Sequence, residues 1–167
     1  MRMFVVAILL TAPALAQIAP APLTAACGPK GVSFKVSLNE SQHDLATPDP
    51  GKALVYFIHD AGTNWTVRYP TVKVAVDGTW VGANHGNSYF SASVDPGEHH
   101  LCVALQSSAA WGLELAHFTA AADTVYYYRT RLFYAGGLSM LELAPIDTDQ
   151  VKYLVALFPM ATASPKK

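Results

Sequence analysis

The sequence predicts an all-β fold, an antiparallel β-sandwich of Ig-like or transthyretin-like type, with one short C-terminal helix. Three observations point there. Apolar residues recur at every second position in short runs, the period that places side chains on one face of a strand. Turn signals separate those runs: Asp77-Gly78, Asp95-Pro96-Gly97 and Gly136-Gly137. The two cysteines, Cys27 and Cys102, suit a single disulfide in an exported chain.

The elements follow in order. Residues 31–38 alternate Val32, Phe34, Val36 and Leu38 with polar residues and read as a half-buried strand. Residues 39–51, with Pro48, Pro50 and Gly51, read as a linker. Residues 53–58 (ALVYFI) are continuously apolar, the pattern of a strand covered on both faces. A loop is expected over 59–70. Val72, Val74 and Val76 form the next apolar face, Asp77-Gly78 turns the chain, and Trp80 and Val81 begin the return. The Gly/Asn-rich stretch 82–87 reads as a loop. Phe90, Ala92 and Val94 share a face. After Asp95-Pro96-Gly97, Leu101, Val103 and Leu105 face the core, with Cys102 on the opposite side. Residues 111–119 are expected to turn Leu113, Leu115 and His117 to one side. Residues 124–134 (TVYYYRTRLFY) are strongly β-prone, and 138–143 pair back as the last strand. Asp147 or Thr148 caps a helix whose Val151, Leu154, Val155 and Phe158 recur at helical spacing.

The first residues read as an export signal. Arg2 precedes an apolar run from Phe4 to Leu10, and Ala14-Leu15-Ala16 offers a small-x-small cleavage site. That run is shorter than the ~20 residues a helix needs to cross a bilayer. The expected organisation is a signal peptide at 1–16, an N-terminal leader with one strand at 17–47, a β-sandwich domain at 48–160 and a polar tail at 161–167. A periplasmic or secreted location follows. Lipid anchoring at Cys27 is the rival, weakened by Thr24 in the stretch Leu23-Thr24-Ala25-Ala26-Cys27. A Cys27–Cys102 disulfide would lay the leader across the outer face of the Cys102 strand. The alternative, a lipidated Cys27, leaves Cys102 a free small apolar residue.

With 11 basic and 12 acidic residues and no basic stripe, the chain is not built for nucleic acid. No transmembrane span is expected in the mature chain.

The ordered set Pro50-Gly51-Lys52-Ala53-Leu54-Val55-Tyr56, Val76-Asp77-Gly78, Tyr89-Phe90 with Pro96-Gly97-Glu98-His99, and Val125-Tyr126-Tyr127 resembles a bacterial family of exported or lipid-anchored β-domains of unknown function. The resemblance spans roughly residues 42–157. It implies a small antiparallel β-sandwich at the cell envelope and carries no catalytic residues with it.

Other chemistries have thin support. Glu98-His99-His100 with His85 are weak candidates for a Zn²⁺ or Cu²⁺ site, without any recognised ligand spacing. The plainer reading is that Glu98 and His99 stabilise their turn by hydrogen bonds. Ser88, Ser91 and Ser93 lack the Gly-x-Ser-x-Gly elbow of a hydrolase. Trp65, Trp80, Trp111, Tyr126 and Tyr128 could stack on a sugar or anchor a partner, although tyrosines are also expected in strands. The sequence thus predicts a non-catalytic envelope module, binding or structural, with no cofactor. An unknown envelope protein or a glycan is its expected partner. A glycan- or metal-binding periplasmic module is the alternative, and a hydrolase the more distant one.

Overall fold

The computed structural model describes residues 26–62, 70–107, 112–135 and 138–166. The export signal with its cleavage site, Trp65, Trp111 and the Gly136-Gly137 turn lie outside the described residues.

Among the described residues, ten strands form two sheets. They are β1 (Phe34–Asn39), β2 (Ala53–Asp60), β3 (Thr71–Val76), β4 (Thr79–His85), β5 (Ser88–Val94), β6 (Gly97–Leu105), β7 (Leu113–Ala120), β8 (Val125–Ala135), β9 (Leu138–Pro145) and β10 (Met160–Pro165). Helix α1 (Thr148–Leu157) sits between β9 and β10 in the chain. The six-stranded sheet has the order β1-β10-β5-β2-β8-β9, and the four-stranded sheet β4-β3-β6-β7.

The two sheets share one apolar core. Val72, Val74 and Val76 of β3 and Leu101, Val103 and Leu105 of β6 meet Val55 and Phe57 of β2 and Phe90 and Val94 of β5. The period-two faces expected for these strands are the buried ones. Full burial of each such side chain contributes roughly 1.5–3 kcal/mol over leaving it in water.

β2 is buried along nearly its whole length because both faces are covered. Ala53, Val55 and Phe57 face the inter-sheet core. Leu54, Tyr56 and Ile58 face α1 through Val151, Leu154, Val155 and Phe158. The helix starts where expected: Asp147 is its N-cap and accepts from the amides of Asp149 and Gln150. At Asp77-Gly78 both residues have positive φ, 49° and 76°, the requirement of a two-residue hairpin turn matched to strand twist.

Several expectations are corrected. The sheets are not purely antiparallel, since β2 pairs in parallel with β8 and β10 in parallel with β5. Residues 82–85 are strand rather than loop. Gly82 can sit in β4 because the Phe90 ring packs where its side chain would be: a Cβ there would lie 2.6 Å from Phe90 Cε2. A register shift opposite Val74 and Ala75 accommodates the return strand. In β7, Leu113, Leu115 and His117 face solvent, while Phe118 and Ala120 fill the core. The large Phe118 ring, lodged against Tyr126 and Tyr128, sets that register. Residues 161–165, expected as tail, are strand β10, held by six register pairs with β1. β10 lies between β1 at the sheet edge and β5, and backbone pairing needs no apolar side chains, so such a strand carries little sequence pattern. Through β10, β1 belongs to the six-stranded sheet.

Candidate functional site

The motif residues meet at one end of the molecule. Lys52 precedes β2, Asp77 turns β3 into β4, Asp95 links β5 to β6, and Asp123 links β7 to β8. The Asp123 carboxylate accepts from the Gly51 amide (2.9 Å), and the Asp123 amide donates to the Lys52 carbonyl (2.7 Å). The Lys52 ammonium pairs with the Asp95 carboxylate. This pair is exposed, so it orders the turn more than it stabilises the fold.

His99 stands at the centre. On β6 it lies on the face of Leu101 and Val103, at the end of the core, and only 9% of it is exposed. Its ring stacks near Phe118, centroid to centroid 5.6 Å. Nδ1 lies 2.6 Å from Asp77 Oδ2, and Nε2 lies 2.7 Å from the Asp95 carbonyl oxygen. Asp77 Oδ1 also accepts from the His100 amide (2.8 Å). A carbonyl oxygen only accepts, as does an ionised carboxylate, so the ring serves both oxygens at once only as an imidazolium. Burial opposes that charge, but the Asp77 carboxylate and the Asp95 carbonyl outweigh it and raise the His99 pKa above the ordinary 6.5. Burial likewise opposes ionisation of Asp77, yet the His100 amide and His99 hold its carboxyl below the ordinary 3.8.

A second polar group lies at the other end of β2. His59 is fully buried, and its Nδ1 donates to the Thr130 carbonyl (3.1 Å). Burial pushes its pKa down to about 4, so the ring is neutral. His59 Nε2 and Thr130 Oγ1 have no hydrogen-bond partner. Nearby, Asn84 Nδ2 donates to the Phe57 carbonyl (3.0 Å), and Ser88 Oγ donates to Asn84 Oδ1 (3.2 Å). Ser88 and His59 are register neighbours, but the Ser88 hydroxyl donates to Asn84 and no hydrogen bond joins it to His59, so they do not form a nucleophile–base pair. Sequence reasoning missed this group. A buried polar residue inside an apolar strand, His59 after ALVYFI, was the available signal.

Cys27 and Cys102 form a disulfide with Cα atoms 5.1 Å apart. Together with Ala75 and Trp80 it makes a small apolar cluster on the outer face of the four-stranded sheet. Trp80 Nε1 donates to the Pro29 carbonyl (2.9 Å), and its ring lies so close to Gly28 that a Cβ there would be 2.3 Å away. Lys73 Nζ sits 4.1 Å from the Trp80 ring centroid and donates to the Val32 carbonyl (2.8 Å). The segment is thus clipped to the Cys102 strand at Cys27, as expected, and from there runs over the back of β3 and β4 rather than along β6.

The remaining predicted residues disperse. His85 bonds Thr71 Oγ1 (3.0 Å) at the opposite end of β3 from Asp77, and His100 is exposed beside His117. His85, His99 and His100 therefore do not gather, and no group of three or more His, Cys, Asp or Glu among the described residues is placed to hold a metal ion. Tyr128 is buried in the core. Tyr126 is half-buried, with its hydroxyl accepting from the Ala121 amide and donating to the Thr119 carbonyl.

Among the described residues, the fold and its cross-link define a β-rich arrangement of two facing sheets, one short helix and a segment clipped on by the disulfide at Cys27. No protein-family model matches this chain, and neither does any curated protein. Among the described residues no helix is long and apolar enough to cross a membrane.

Proposed function

We propose that this chain is a non-catalytic, exported module of the bacterial cell envelope, an Ig-like or transthyretin-like β-sandwich with a binding or structural role, released to the periplasm or beyond after cleavage at Ala16. One observation carries the reading: the buried Cys27–Cys102 disulfide. Disulfides persist in oxidising compartments. A sulfur held in a cystine has no valence left for a lipid thioether, which favours a released chain over one anchored at Cys27. The motif residues at the His99 end support a structural role, because their polar atoms are engaged in holding turns together. Mass spectrometry of the protein from its native host tests the reading. A chain starting at Gln17 with both thiol hydrogens lost is the expected result; a diacylglyceryl adduct on Cys27, or an uncleaved cytoplasmic chain with free thiols, overturns it. Titration with Zn²⁺, Cu²⁺ and cell-wall glycans, followed by tryptophan emission, tests the glycan- or metal-binding alternative, which saturable micromolar binding would favour.

A further inference from the structure

We propose that His99 is a proton-operated clasp that ties the β5–β6 turn to the β3–β4 turn, and so joins the two sheets at one end of the molecule. The geometry carries it. The ring reaches Asp77 on the β3–β4 turn with one nitrogen and the Asp95 carbonyl on the β5–β6 turn with the other. β5 belongs to the six-stranded sheet, and β3, β4 and β6 to the four-stranded one. Asp95 therefore sits where the chain crosses between sheets.

A neutral imidazole has one N–H, so it can serve one of these two oxygens and must turn a lone pair toward the other. The Asp77 carboxylate is the stronger acceptor because it is charged. Loss of the proton therefore leaves Nδ1–H on Asp77 and releases the Asp95 carbonyl. Asp95 then keeps its exposed side-chain pair with Lys52, and the turn is held at its ends by the Val94–Ala53 and Gly97–Ala120 register pairs. The strands stay paired, since the β6–β7 and β3–β6 ladders do not involve the ring.

The surrounding charges favour the closed state. Asp77 faces the ring from the β3–β4 turn and Asp95 from the β5–β6 turn. Lys52, ahead of β2, is matched to Asp95. On β6 itself, Glu98 and His100 point to the opposite face, where His100 pairs with His117 of β7. From β7 the ring meets Phe118, which is uncharged. Asp123 is engaged with Gly51 and Lys52. The inference stands whatever the chain binds.

Side-chain ¹⁵N NMR of the intact, disulfide-bonded protein tests it. At pH 6 both His99 nitrogens should carry protons, and the ring should titrate above 6.5, the ordinary histidine value. The backbone shifts of Asp95 and Gly97 should follow the same titration, with those of Val103 unchanged. In Asp77→Asn the midpoint should fall toward 6.5, and in His99→Phe the pH response at Asp95 and Gly97 should vanish. A single protonated nitrogen at pH 6 overturns the proposal, as does a titration that leaves Asp95 and Gly97 unmoved. The wild-type spectra decide the matter even if the His99→Phe protein fails to fold.

Discussion

At the scale of single residues, three positions show how closely local chemistry is matched to its surroundings. Gly82 is in strand β4 although glycine weakens strands, because the Phe90 ring occupies the volume a side chain would need. Gly82→Ala should therefore cost about 1–3 kcal/mol, the range for overpacking a filled core. A urea midpoint equal to that of wild type would show that Phe90 can step aside. Thr130 illustrates the reverse case. It is 1% exposed, and its hydroxyl has no partner. A buried unsatisfied polar group costs about 1–3 kcal/mol, so Thr130→Val, which keeps the shape and removes the hydroxyl, should raise the urea midpoint. Asp77 combines two roles in one residue: it adopts positive φ for the turn, and its two carboxylate oxygens bind His99 and the His100 amide. Only Asp or Asn tolerates that backbone and offers a side-chain acceptor, and only Asp adds the charge.

Elements were legible wherever burial repeats with the strand's own period. The alternations Val72-Val74-Val76 and Leu101-Val103-Leu105 could be read directly, because each strand faces the core on one side only. The helix was legible because a capping residue and a stripe at helical spacing agree at Asp147 and Val151 to Phe158. β7 misled because Leu113 and Leu115 imitate a core face; the real one rests on Phe118 and Ala120, whose fit depends on β8 across the sheet gap. β10 was illegible, since its place depends on backbone pairing with β1, more than 100 residues earlier in the chain. At the candidate site, the turn-stabilising role of His99 could be read beside Pro96-Gly97, but its partner Asp77, 22 residues away, could not. The disulfide was legible by counting. It closes a loop across a sequence separation of 75, for which the chain-entropy model gives on the order of 4 kcal/mol. The paired change Cys27→Ser with Cys102→Ser should lower stability by up to that amount in urea unfolding. It should also release amide protection over residues 28–32 while leaving the β2–β8 ladder protected. In the helix, Leu154→Ala should cost about 2–5 kcal/mol by opening a cavity over Tyr56 and Ile58.

For the whole molecule, histidines of opposite sign set the pH range in which the fold is strongest. His99 and His43 favour the acid side. His43 lies between β1 and β2, with its ring nitrogens 2.9 Å from the Val155 carbonyl and 2.8 Å from the Glu40 carbonyl, so it donates to both only when charged, one bond going to the last turn of α1. Those carbonyls raise its pKa above the ordinary 6.5. Groups raised in the folded state stabilise it fully below 6.5, and that stabilisation is lost as the pH climbs through their folded values. His59 acts the other way. Burial lowers it from 6.5 to about 4, so between those values the unfolded chain takes up a proton that the folded chain refuses. Stability should therefore fall by about 3 kcal/mol from His59 alone as the pH drops from 6.5 to 4. Asp77 adds to the acid limb lower down, because its folded pKa lies below 3.8 and its stabilisation is lost as the pH falls through that range. The profile should be a dome with its top near pH 6.5, limited by His59 below and by His99 and His43 above. Urea unfolding from pH 4 to 9 at constant ionic strength would trace it. His59→Gln should flatten the limb between 4 and 6.5, and His99→Gln the limb above. A profile that rises steadily through pH 8 would show that neither His99 nor His43 is held as an imidazolium by its two acceptors.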